Sequence, residues 1–213
     1  MSTHSEEEQI ALMRDWWQRN GKPLLMGGVL ALAGVFGWQA WQKHEAAQAA
    51  AAGALYQQLL ELAVTPAPDT TKVVDLASRL NKEHAGSVQA QYASLFVAKL
   101  AVDSGKLDDA AGALQAVVDD PADATLADLA QHRLARVMAA QGKVEEALAL
   151  LEKPAQVDEF KAIREELRGD LLARLGRADD AHAAYEKAKA ALSEEAAQGT
   201  LQMKLDDLAK EDA

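Results

Sequence analysis

The chain has no cysteine, which excludes disulfides, thiol nucleophiles and cysteine metal sites. Aromatics are only 5% of its 213 residues. β-Branched residues are sparse and scattered, so strands are not expected. Basic residues are outnumbered: 22 Lys and Arg against 33 Asp and Glu leave a formal net charge of −11. A general nucleic-acid binder needs a basic face to neutralise phosphates, and that class is excluded. Catalytic signatures are missing too. There is no phosphate-binding loop, dinucleotide fingerprint or nucleophile elbow. The five histidines, His4, His44, His84, His132 and His182, show no zinc-site spacing. Asp108–Asp109 and Glu165–Glu166 are carboxylate pairs, but adjacent residues point to different faces of a helix. They read as caps and solvated faces. The chain is expected to have no cofactor and not to be an enzyme.

What is present is helical. Hydrophobic residues reach 49%, much of it alanine, alongside many Glu, Lys, Leu and Arg, which lose little freedom in a helix. Residues 1–22 are polar. A short helix carrying Ile10, Leu12, Met13, Trp16 and Trp17 is predicted there, broken at Asn20-Gly21. From Pro23 to Trp41 the sequence PLLMGGVLALAGVFGWQAW holds no charge. As a helix this stretch is roughly 28 Å long, close to the hydrocarbon thickness of a bilayer. Pro23 suits a first helical turn, and Trp38 and Trp41 suit the far interface. A cleaved signal peptide is the rival reading, because AAQAA follows Glu45. It is opposed by the length of the apolar run and by the long acidic segment before it. Arg14, Arg19 and Lys22 precede the span, and only Lys43 closely follows it. The N-terminus is therefore expected in the cytoplasm, with the larger part translocated. Small residues at Gly27, Ala31, Gly34 and Gly37, with Gly28 and Ala33, have a spacing that lets another span approach closely, but glycine and alanine are also simply common in spans, which is the preferred reading. Residues 42–89 are expected to form a helical linker and a degenerate helix pair. A loop at 65–71 precedes a helix capped by Asp69 or Thr70.

The most informative pattern is a repeat. GKLDDAA begins at Gly105, GKVEEAL at Gly142 and GRADDAH at Gly176. A period near 34 residues, with a glycine between two helical stretches, marks tetratricopeptide repeats. Each glycine ends one helix in a left-handed conformation. The acidic pair that follows complements the dipole of the next helix. Ala110, Ala147 and Ala181 are small where two helices cross, and Leu114, Leu151 and Tyr185 fill the same interface. Pro121 and Pro154 stop second helices. The wider first interval, from Gly105 to Gly142, implies a longer connector around Asp119–Thr125. Residues 90–213 are thus read as repeats with a closing helix in SEEAAQGTLQMKLDDLA. The fold class is all-α: one N-terminal transmembrane helix plus a tetratricopeptide-like α-solenoid. Stacked helix pairs form a concave groove lined by first helices. Counting turns back from the glycines directs Lys99, His132, Arg136, Glu166 and Asp170 into it, beside Leu95 and Leu129. Such a lining suits an extended peptide or a partner helix.

This layout resembles the YfgM family, ancillary subunits of the bacterial SecYEG translocon. The stub ending in NGK, HRLARV at 132–137, EELRGDLL at 165–172 and LQMKLDDL at 201–208 carry the likeness. The resemblance implies a bacterial inner-membrane protein with a periplasmic repeat domain. Its implied partners are SecYEG, the periplasmic chaperone PpiD and exported polypeptides, and it supplies no catalytic residue. The long acidic N-terminus and the SEEAAQGT stretch depart from the family pattern. The competing expectation is a repeat adaptor in envelope assembly, serving outer-membrane protein insertion or cell-wall machinery.

Overall fold

The computed structural model describes residues 3–65, 68–192 and 198–211. The chain divides into two compact units, Met1–Ala50 and Ala51–Ala213. All regular structure among the described residues is helical: α1 Thr3–Ala63, α2 Thr70–Glu83, α3 Val88–Asp103, α4 Leu107–Asp119, α5 Ala124–Ala140, α6 Val144–Leu150, α7 Lys161–Arg174, α8 Ala178–Ala191 and α9 Gln198–Glu211. A 3-10 turn lies at Asp158–Phe160.

The described residues of the first unit lie within α1. Leu24, Leu25, Met26, Val29, Leu30, Leu32, Val35 and Phe36 are all largely exposed. Each such side chain gains about 1.5–3 kcal/mol on leaving water, so this stretch requires an apolar surrounding. Among the described residues α1 is the one helix long and apolar enough to cross a membrane. Trp38 and Trp41 pack with ring centroids 5.0 Å apart.

Contrary to the sequence expectation, Asn20-Gly21 does not break the helix, and Pro23 lies inside α1 rather than in its first turn. A glycine in a helix interior costs only about 1 kcal/mol relative to alanine. The Asn20 side-chain amide donates to the Trp16 carbonyl at 3.1 Å, and Trp17 covers Gly21.

The second unit starts its core before the first clear repeat motif. Ala52 and Leu59 of α1 are buried with Val73, Leu76, Ala77 and Leu80 of α2 and Ala90 and Ala93 of α3. Asp69 caps α2 by accepting from the Lys72 amide at 3.2 Å. Part of the expected 65–71 loop and the SEEAA portion of the closing segment lie outside the described residues.

Gly105, Gly142 and Gly176 have φ of 72°, 84° and 71°, a region open to glycine without strain. The residue after each glycine donates its amide five residues back: Lys106 to Ala101, Lys143 to Met138 and Arg177 to Leu172. This pairs a carbonyl that a helix end otherwise leaves unmatched. Asp108–Asp109, Glu145–Glu146 and Asp179–Asp180 open the second helices. Ala110, Ala147 and Ala181 are fully buried.

The long connector expected at Asp119–Thr125 is short in the structure. Only residues 120–123 separate α4 from α5, whereas 151–160 separate α6 from α7. The wider first interval comes from longer helices: α4 and α5 have 13 and 17 residues, α6 and α7 only 7 and 14. Asp123 starts α5 early by accepting from the Leu126 amide at 2.8 Å.

Candidate functional site

The groove residues expected from the sequence divide into three surroundings. Lys99 and Arg136 meet at a cavity of about 430 Å³ between α3, α4 and α5. Its floor is Leu95, Ala98, Leu107, Leu114 and Val137, with Val102 and Ala140 at its edge. Arg133, unforeseen from the sequence, joins Arg136 on the α5 wall. Lys99 is paired with Asp103 on its own helix. Neither Arg133 nor Arg136 has an ion-pair partner among the described residues. An apolar cavity with two uncommitted guanidiniums suits a segment carrying a bulky apolar side chain beside a carboxylate. Leu129 does not line the cavity; it packs against the core beneath it.

Glu166 and Asp170 lie elsewhere, on α7. Lys204 of the closing helix α9 reaches both, at 2.8 and 2.6 Å. The Tyr185 hydroxyl donates to Asp170 at 2.8 Å, and the Lys204 ammonium is 5.5 Å from the Tyr185 ring centroid. Burial raises the Tyr185 hydroxyl above its ordinary pKa, and Asp170 raises it further. Burial works against the Lys204 charge, but Asp170 and Glu166 outweigh it and hold Lys204 above its usual value. These carboxylates fasten α9 to α7 instead of lining an open groove.

His132 is half-buried between the two. Burial pushes its pKa below the ordinary 6.5, and Arg136, Arg164 and Arg133 push the same way, with Glu166 opposing. The folded state therefore favours neutral His132. The unfolded chain binds this proton more readily, so stability falls as pH drops through 6.5 toward the depressed folded value. His132→Gln is expected to flatten that part of the pH–stability curve. Thermal melts of both proteins across this range check it, and parallel curves would refute it.

A second set of buried polar groups organises the connectors. Gln91 on α3 donates to the Asp120 carbonyl at 2.6 Å and accepts from the Ala122 amide at 2.9 Å. Asp128 on α5 accepts from the Gln156 and Val157 amides, both at 2.8 Å. Each clamp residue sits fourteen positions before its repeat glycine. The third equivalent is Ala162, which has no such group. Arg164 lies beside Asp128 with Nη1–Oδ1 at 3.9 Å, both side chains almost wholly buried. It also donates to Gln131 at 3.1 Å. Among the described residues no three His, Asp or Glu side chains converge as a metal site would require.

Residues 14–210 match the tetratricopeptide repeat-like domain family. The ancillary SecYEG translocon subunit of Neisseria gonorrhoeae is 31% identical over 98% of this chain and 100% of the relative. The chain belongs to this family of ancillary SecYEG translocon subunits. The proteins of the same description from Haemophilus influenzae and Escherichia coli K12 are 29% and 28% identical. They cover 95% and 96% of this chain and 97% of each relative.

The strings that carry the family resemblance fall on the sites just described. HRLARV supplies Arg133, Arg136 and Val137 to the cavity, and His132 beside it. EELRGDLL supplies Glu166 and Asp170, and LQMKLDDL supplies Lys204 and the buried Leu201 and Leu205. Arg133 was missed, although its place three residues before Arg136 in the first of these strings puts both on one helix face. Lys204 carries no such local signal, because 34 residues separate it from Asp170.

Proposed function

We propose that this chain is a non-catalytic, membrane-tethered ancillary subunit of the Sec translocon. Its α3–α5 cavity receives a segment of a partner protein. Family membership over nearly the whole length is the observation that carries this reading. The apolar cavity with Arg133 and Arg136 at its wall supports the contact site. The span lies at 23–41 in the bacterial inner membrane, residues 1–22 are cytoplasmic, and the repeats at 90–213 face the periplasm behind the pair at 42–89. This orientation follows from Arg14, Arg19 and Lys22 ahead of the span. There the domain contacts PpiD and exported polypeptides as a chaperone-like scaffold.

The test is affinity purification from membranes in mild detergent. SecYEG and PpiD are expected to co-purify. Arg133→Glu with Arg136→Glu, which reverses the charge of the α5 wall at two exposed positions, is expected to lower PpiD recovery by about tenfold, as losing a contact worth about 1.4 kcal/mol would. Recovery of neither partner from cells expressing both would overturn the reading. So would recovery of outer-membrane assembly factors in their place.

A further inference from the structure

The N-terminal part of α1 carries an apolar face that the translocon reading leaves unused. Ile10, Leu12, Met13, Trp16 and Trp17 are each at least half exposed. At about 100° per residue they fall within an arc of roughly 160°. Between Gln9 and Lys22, only Gln9 and Asn20 share that arc. Arg14, Gln18 and Lys22 lie on the other side of the helix. The Trp17 indole folds over Gly21, whose Cβ position would lie 3.2 Å from the ring. The ring is thereby turned one helical turn toward the span. Trp16 and Trp17 precede Pro23 by seven and six residues, about 9–10.5 Å of helix rise. The hydrocarbon core is about 30 Å thick and the headgroup layers bring the whole to roughly 40–45 Å, so indoles about 36 Å apart at Trp17 and Trp41 can both reach an interface.

We infer that residues Ile10–Lys22 are a second membrane contact, an interfacial helix that docks on anionic phospholipid. Two observations choose a lipid surface as the occupant. The segment is continuous in one helix with the apolar stretch that follows, so it cannot lie far from the bilayer. Its cations also complement an anionic headgroup. Arg19 is held by Asp15 at 3.1 Å, which leaves Arg14 and Lys22 to meet phosphates, while the indoles take the position amphipathic rings favour. The protein would then carry aromatic pairs at both ends of its apolar stretch, Trp16–Trp17 and Trp38–Trp41. Trp17 and Trp41 are separated by about 36 Å along the helix. The inserted and interfacial length is longer than the charge-free run alone.

The test uses the full chain with Trp38→Phe and Trp41→Phe, so that emission reports only Trp16 and Trp17. The protein is reconstituted into vesicles of phosphatidylcholine alone, or of phosphatidylcholine with phosphatidylglycerol. Both carry brominated acyl chains, and acrylamide is equilibrated across the membrane. In anionic vesicles the indoles are expected to be quenched by bromine and shielded from acrylamide. The acrylamide quenching constant should be at least about twofold lower than in zwitterionic vesicles, in line with about 1 kcal/mol per cation near an anionic surface. Arg14→Gln with Lys22→Gln should abolish the difference. Acrylamide access equal to that of a free indole in anionic vesicles would overturn the inference. Equal protection in both lipids would overturn the anionic preference. Protection that rises with protein-to-lipid ratio would assign the face to a second copy of the chain instead. None of these outcomes depends on whether the repeat domain binds the translocon.

Discussion

Replacing Gly169 with alanine is expected to destabilise the repeat domain by roughly 1–3 kcal/mol, the usual cost of overpacking a filled core. A Cβ built on Gly169 would lie 2.3 Å from one Tyr185 ring carbon and 2.5 Å from another. The ring cannot easily yield. Tyr185 is 4% exposed, and its hydroxyl is held by Asp170 at 2.8 Å. Removing a helical glycine returns up to about 1 kcal/mol of propensity, which the clash outweighs. The other repeats indicate the remedy. Seven residues before each repeat glycine stand Ala98, Ala135 and Gly169; nine residues after stand Leu114, Leu151 and Tyr185. Two repeats pair alanine with leucine, and the third pairs glycine with tyrosine. Adding Tyr185→Leu to Gly169→Ala should therefore recover most of the loss, apart from the Asp170 hydrogen bond, worth about 0.5–1.5 kcal/mol. Urea unfolding of both single variants and the double variant measures the coupling. Additive effects, with no rescue, would sink this account.

Asp128→Ala should be more damaging still, by about 3–5 kcal/mol, as expected when one partner of a buried ion pair is removed. Three groups lose their partner at once. The Gln156 and Val157 amides lose the carboxylate oxygen they share at 2.8 Å. Arg164, 3% exposed, loses its counter-charge. Burial already pulls the Arg164 pKa down, and Asp128 opposes that pull. Replacing both residues together, Asp128→Leu with Arg164→Met, removes the stranded charge and should cost much less than Asp128→Ala alone. Hydrogen exchange offers an independent readout: the Gln156 and Val157 amides should lose protection in Asp128→Ala. Unchanged exchange at both positions would show that the carboxylate does not hold the connector.

Much of this architecture was legible in the sequence because it is written locally. The glycine, the acidic pair and the alanine of each heptad sit within six residues and each answers to one physical requirement. The apolar run from Pro23 to Trp41 is equally local. What escaped is what depends on pairing across a distance. Gly169 reads as a weak point in a helix until Tyr185 is placed over it. Asp128 reads as one more charge in an acidic chain until two backbone amides are found to converge on it. Lys204 is separated from Glu166 by 38 residues, so counting turns back from Gly176 could not show that α9 would claim the α7 carboxylates. The long first interval was misread because spacing counts residues without saying whether they add to a connector or to a helix. Asn20-Gly21 has the local signature of a stop, but a glycine penalty of about 1 kcal/mol does not end a helix that its neighbours continue.

The two connector clamps have a consequence for how such a chain can vary. Gln91 grips a connector of four residues and Asp128 one of ten, from the same register in their helices. Each clamp thus ties the connector back to the preceding first helix, whatever the connector's length. Residues inserted beyond the gripped positions can then be absorbed as slack in the loop. A change at Gln91 or Asp128 would release its connector from that helix.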